Sequence, residues 1–112
     1  MIIDFEYLCG INEYVCEMSN EQSLIINKGN LLSALGTQQW YDDTTLQASA
    51  IIRSLVIGHG FLDGNKRTAA IAGAAIQDYN CSESEMIQCI LAIATGELKD
   101  VEEIASILYG SI

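Results

Sequence analysis

The chain contains no proline, and only 18% of its residues are charged. Disordered chains are typically rich in both, whereas half of these residues are hydrophobic. A chain of 112 residues is long enough to bury a core without disulfides or a metal, and it is too short for two domains. We therefore predict a single domain that spans residues 1–112.

Basic residues are also scarce, with five lysines and arginines against fifteen acidic residues and a formal charge of −10. Such a surface repels a phosphate backbone, so we expect no direct binding of nucleic acid. The N-terminus lacks a basic region, and the longest apolar run covers only residues 69–76. We expect neither a signal peptide nor a membrane partner.

The four cysteines form no CxxC pair, and the chain has a single histidine, His59. This arrangement indicates neither a zinc site nor a disulfide framework. Free thiols that are buried in a reducing compartment are the favoured interpretation. The predicted location is cytoplasmic.

Apolar residues recur with helical spacing over most of the chain, and no segment shows the period of two that is typical of strands. The predicted helices cover residues 5–18, 31–35, 45–57, 66–78 and 84–95, and one more follows Asp100. We predict an all-α bundle around a buried central helix, residues 66–78, which is rich in alanine. Residues 37–43 (TQQWYDD) lack helical spacing and are expected to form an exposed loop or a small hairpin.

The residues that could carry chemistry are concentrated between His59 and Arg67. Lys66 and Arg67 follow Gly64 at the predicted start of a helix. The free N–H groups and the dipole of a helix N-terminus, together with these two cations, predict an anion site that suits phosphate. His59 is a candidate general base, and Asp63 is a candidate ligand of Mg²⁺, which prefers oxygen ligands.

Each of these residues has a structural interpretation when it is taken alone. A single histidine is often structural, Asp63 could cap the next helix, and the two cations could be solvated. Asn65 could add an amide contact, and Phe61 could anchor the loop by burying its ring. A base, a carboxylate, a glycine turn and two cations within nine residues favour a site that handles phosphate.

Residues 59–68 read HGFLDGNKRT, which resembles the HxFxxxNxR motif of the Fic/Doc superfamily. Lys66 resembles the death-on-curing (Doc) branch, since Fic proteins usually have glycine at that place. Residues 29–35 (GNLLSAL) are similar to the GLLESAL-type segment of the family, and residues 94–98 and 102–105 are similar to its C-terminal helices. The resemblance covers nearly the whole chain and implies a Fic/Doc-like bundle with at most a small β-hairpin.

The resemblance implies a toxin that uses ATP and Mg²⁺ to phosphorylate a protein substrate, a threonine of elongation factor Tu, and so blocks translation. His59 would be the general base on the target hydroxyl, and Asp63 would position Mg²⁺ or polarise the site. The implied catalytic residues are His59, Asp63, Lys66 and Arg67, and the implied phosphate-binding residues are Gly64, Asn65, Lys66 and Arg67. The family's flap, which holds the target peptide as an added strand, would correspond to Thr37, Gln38, Gln39, Trp40 and Tyr41.

The chain departs from the Fic pattern in one respect that bears on regulation. No glutamate is followed by glycine or asparagine, so the Fic inhibitory motif (S/T)xxxE(G/N) is absent, and we expect a separate antitoxin chain as inhibitor. Two alternatives stay open: a Fic-type nucleotidyltransferase that delivers AMP, and a catalytically idle binding module. Lys66 argues against the first, and the intact His59, Asp63, Asn65 and Arg67 argue against the second.

Overall fold

Six α-helices make up most of the computed structural model, which describes residues 2–110. They are α1 (Phe5–Met18), α2 (Lys28–Gly36), α3 (Thr44–Gly58), α4 (Asn65–Ile76), α5 (Glu83–Thr95) and α6 (Val101–Tyr109), and a 3-10 helix (Thr37–Trp40) follows α2. Within residues 2–110 the only paired extended backbone is an antiparallel bridge between Ile25 and Phe61. The predicted all-α class is confirmed. None of the helices in this range has both the length and the apolar character that crossing a bilayer requires.

Polar caps explain where the helices begin. The side chains of Asp4, Asp43 and Asp100 each accept a hydrogen bond from a backbone N–H in the first turn of α1, α3 and α6. Ser82 and Glu85 form a capping box at the start of α5, with both of its reciprocal hydrogen bonds present. These caps fix the helix starts to within about a residue of the predicted positions.

The central helix of the bundle is α3, and the prediction of residues 66–78 as its buried centre is wrong. α3 contacts α2, the 3-10 helix, α4, α5 and α6, whereas α4 contacts α1, α3 and α5. Gly73 lets α4 approach α3 closely, because a Cβ at that position would lie 2.3 Å from Cδ1 of Ile52. The opposite side of α4 leaves Ile71 exposed. The small residues of α4 therefore allow one close helix–helix interface, and they do not indicate that this helix is buried on every side.

The prediction of a loop or hairpin at residues 37–43 is also wrong for its first half, because Thr37–Trp40 is a 3-10 helix. The Gln38 amide donates to the carbonyl oxygens of Ile3 and Leu35, and its oxygen accepts from the Ile3 N–H. Thr37 and Gln38 are consequently buried. The proposed flap comprised Thr37, Gln38, Gln39, Trp40 and Tyr41, and its first four residues lack the extended backbone that an added strand needs.

The cysteines behave as predicted, since all four are free thiols. Cys16 and Cys89 are buried, and Cys9 and Cys81 are half-buried. Burial raises the pKa of each thiol, and it raises that of Cys89 to about 11. The thiols are therefore protonated at neutral pH and act as small apolar groups with weak S–H donors.

Candidate active site

The site loop, residues 59–64, begins with a residue in an unusual conformation. α3 continues through Gly58, and its C-cap is His59, whose φ of 47° and ψ of 51° are left-handed. This region costs a residue with a Cβ about 1–2 kcal/mol. Backbone strain of this kind is concentrated at functional sites, and here it presents an exposed imidazole at the end of the helix.

Phe61 and Asn65 hold the loop in shape. The Phe61 ring is 1% exposed, which anchors the loop in the core as predicted. The Asn65 side chain accepts from the Phe61 N–H at 3.1 Å and donates to the Phe61 carbonyl at 2.8 Å. The side-chain amide of Asn65 is thus engaged in hydrogen bonds to the loop, so any contact of Asn65 with an anion would come from its backbone N–H.

Gly64 starts α4 in a conformation that suits only glycine. Its φ is +78°, and an added Cβ would lie 3.1 Å from Nδ2 of Asn12 and 3.2 Å from Sγ of Cys16. No side chain caps this helix, whose first hydrogen bond runs from the Thr68 N–H to the Gly64 carbonyl. The three preceding N–H groups of α4, at residues 65–67, have no acceptor within residues 2–110. They form the donor set that an anion at a helix N-terminus uses.

One cavity of about 420 Å³ brings the predicted catalytic and phosphate-binding residues together. Its size lies in the ~300–1,000 Å³ range of small-molecule sites. The predicted flap residues do not line this cavity, and Thr37 and Trp40 line a separate depression beside Arg53. The lining of the first cavity consists of His59, Asp63, Gly64, Asn65, Lys66 and Arg67, with Glu21 and Leu62.

Arg67 is partly engaged with the end of α1. Its Nη1 donates to the Val15 carbonyl at 3.0 Å and to the Ser19 hydroxyl, and its Nη2 forms an ion pair with Glu21. The Nε–H and one Nη2–H have no partner in the described part of the chain, so one edge of the guanidinium stays available to an anion. Sequence analysis missed Glu21 because it lies 46 positions from Arg67.

A second missed feature is the extended segment that runs beside the site loop, residues 24–27. The N–H groups of Ile26 and Asn27 donate to the Gly60 carbonyl, and the Leu62 N–H donates to the Leu24 carbonyl. The Ile25 N–H and carbonyl lie between these bonds and point away from the loop. The run Leu24-Ile25-Ile26 could have predicted this segment from the sequence, since β-branched residues favour extended backbone.

Asp63 is the one carboxylate that the site loop itself supplies to the cavity. No group of three or more histidine, cysteine or acidic side chains that could hold a metal occurs within residues 2–110. Mg²⁺ usually takes one or two carboxylates, with phosphate oxygens and water completing the shell. A single half-buried Asp63 beside a phosphate site fits that mode of binding, and it does not fit a metal held by the protein alone.

Comparison with known proteins adds no assignment to this geometry. The chain matches no protein-family model and no curated protein.

The ion pair between Glu21 and Arg67 makes a prediction about anion affinity. Both side chains are more than one-third exposed, and such a pair is worth about 0.2–1 kcal/mol. We expect Glu21→Gln to tighten the binding of inorganic phosphate about two- to fivefold, measured by calorimetry, because the carboxylate no longer competes for the guanidinium. Glu17→Gln changes the net charge equally without touching Arg67. An equal gain in both variants would show a general charge effect and contradict a specific role of Glu21.

Proposed function

We propose that the protein is a Doc-like toxin that transfers a phosphoryl group from ATP to a hydroxyl side chain of a protein. The observation that carries the proposal is the single cavity in which a free helix N-terminus, two cations, a carboxylate and an exposed imidazole meet. By its resemblance, the target is elongation factor Tu in the cytoplasm, and the effect is a block of translation.

The phosphates of ATP would lie against the start of α4. The free N–H groups at residues 65–67 and the open edge of Arg67 supply donors, and Lys66 supplies a further positive charge at the rim. They concentrate positive charge at one point of a chain with a net charge of −10. Mg²⁺, held by Asp63 and phosphate oxygens, would neutralise charge on the transferred group.

His59 would accept the proton of the attacking hydroxyl. His59 is exposed at the end of α3, and it lines the same cavity as residues 64–67. A neutral imidazole is suited to this role near neutral pH. The oxygen of the target then bonds to phosphorus as the bond to the leaving ADP oxygen breaks.

The target peptide would bind along residues 24–27, which take the place of the flap predicted at residues 37–41. This segment is held to the site loop on one edge, and the Ile25 N–H and carbonyl point to the other edge. A peptide added there as a strand would place a hydroxyl side chain close to His59. The exposed side chains of Leu24 and Ile26 would contact alternate residues of the peptide.

Labelled ATP tests the reaction. We expect the γ label of ATP to reach protein in a translating lysate, because Lys66 fills the place where the glycine of Fic proteins admits nucleotide phosphates. The α label should stay in nucleotide. Transfer of the α label with an AMP-sized mass increase would instead support the nucleotidyltransferase alternative. Transfer of neither label by a well-folded protein would support the idle binding module.

An apolar groove beside the site supports inhibition by a separate chain. It consists of two adjoining depressions that share Arg67 and Ala70 on α4. The exposed side chains of Tyr14, Met18 and Ile71 line the one toward α1, and those of Ile87 and Leu91 line the one toward α5. The groove reaches Lys66 and Arg67, so an antitoxin helix with its apolar face in the groove would end against the phosphate site. Such a segment could order as it binds.

We expect the product of a small neighbouring antitoxin gene to co-purify with this chain when the two are expressed together. Ile71→Glu should reduce its recovery by roughly tenfold or more, because a charge on the wall of the groove must be desolvated when the antitoxin binds. Ile107→Glu introduces the same charge at an exposed site on α6 and should have no effect. Activity that increases when either terminus of the isolated chain is removed would show that inhibition is intramolecular.

A further inference from the structure

Asn12 is a polar side chain that is fully buried on α1, beneath the site loop. Its Nδ2 donates to the backbone oxygen of Asp63 at 2.9 Å and to Oγ1 of Thr68 at 3.2 Å. Its Oδ1 accepts from the hydroxyl of Ser23 at 2.7 Å. One buried amide therefore joins α1 to the site loop, to the first turn of α4, and to the chain just before residues 24–27.

The hydrogen bond to Asp63 determines the orientation of one peptide group. In a trans peptide the carbonyl and the following N–H point in opposite directions. The Asp63 oxygen faces Asn12 and α1, so the Gly64 N–H points away from α1, and Gly64 is one of the residues that line the cavity. Sγ of Cys16 lies 3.6 Å from the same oxygen and supports this orientation as a weak donor.

We infer that Asn12 is a positioning residue of the anion site, which holds the Asp63–Gly64 peptide so that the Gly64 N–H faces a bound phosphate. This inference rests on the proposed function, because it concerns the phosphate site of that reaction. Asn12 touches neither the phosphate nor the target. Through Ser23 the same amide also couples the loop to the segment on which the target peptide would lie.

Phosphate titration followed by amide NMR tests the inference on the intact wild-type chain. We expect inorganic phosphate and ATP to shift the Gly64 amide resonance together with those of residues 65–67. If residues 65–67 respond and Gly64 does not, the Gly64 N–H points elsewhere and the inference is wrong. If none of the four amides responds, the phosphate site itself is absent and the proposed function fails first.

The Asn12→Leu variant tests the residue itself, since leucine is similar in size and has no donor. We expect its affinity for ATP to fall about tenfold or more, with loss of the Gly64 response, because the freed peptide no longer holds its N–H toward the cavity. Asn12→Ala serves as a second variant if leucine prevents folding. If neither folds, the wild-type titration decides.

A stability control separates positioning from simple destabilisation. Leu108→Ala removes fully buried apolar atoms from α6 and leaves the network of Asn12 intact. It should lower the melting temperature and leave both the ATP affinity and the Gly64 response unchanged. An Asn12 variant that binds ATP as wild type does and keeps the Gly64 response would overturn the inference. So would a Leu108→Ala variant that loses ATP binding to the same extent while it is still folded.

Discussion

Replacement of His59 by alanine is expected to lower the rate of phosphoryl transfer about 10²- to 10⁴-fold, the usual contribution of a general base. The affinity for ATP should stay close to that of the wild type, because in the proposed reaction the imidazole would act on the attacking hydroxyl and not on the phosphates. Single-turnover transfer of labelled phosphate measures the first quantity, and calorimetry measures the second. A well-folded variant with undiminished transfer would exclude His59 as the base.

The left-handed backbone at His59 calls for a matched control in that experiment. Asparagine adopts this conformation more easily than alanine does, so His59→Asn removes the base with less backbone strain. We expect both variants to lose transfer to the same extent. The free energy of unfolding should fall by about 1 kcal/mol more for alanine than for asparagine. Loss of transfer in alanine alone would indicate a conformational effect.

Local signals in the sequence were sufficient to predict the helices. The predicted boundaries of α1 are correct, and those of α5 are correct to within one residue. The apolar periodicity of α1 and the capping box of α5 both depend on residues only three or four positions apart, so the sequence alone reveals them. α2 begins three residues earlier than predicted, at Lys28, because Asn27 caps it by accepting from the Asn30 N–H. The 3-10 helix was missed because its stability comes from Gln38, whose partner Ile3 lies 35 positions away.

The candidate site likewise has one part that the sequence predicts and one part that it does not. Residues 59–67 are contiguous in sequence, and one loop with one helix start brings them together, so their convergence could be predicted. Asn12 contacts the site loop, Ser23 bonds to Asn12, and Glu21 pairs with Arg67. All three contacts arise only through tertiary packing of α1 and the segment that follows it. A single sequence carries no signal for such contacts. Asn12 in particular occurs on the buried face of a helix, where the apolar pattern alone would place a hydrophobic residue.

Arg67→Ala is expected to have the second large effect, and it should alter both binding and stability. The guanidinium holds the end of α1 through Val15, Ser19 and Glu21, and Arg67 also lines the cavity in which we propose that phosphate binds. A charge-assisted hydrogen bond is worth about 1.5–3 kcal/mol, so loss of that edge should weaken ATP binding by at least ~10-fold. The transfer rate should fall together with affinity. Calorimetry and single-turnover transfer measure the two effects.

Two further variants separate the contributions of Arg67. Ser19→Ala removes one exposed partner of the guanidinium, so it should change stability by less than about 1 kcal/mol and leave ATP affinity unchanged. Arg67→Lys keeps the charge but lacks the planar fork that contacts α1 and a phosphate at the same time. We therefore expect lysine to restore only part of the affinity that alanine loses. Unchanged nucleotide affinity in Arg67→Ala would place the phosphate away from Arg67 and leave this arginine as a purely structural contact between α4 and α1.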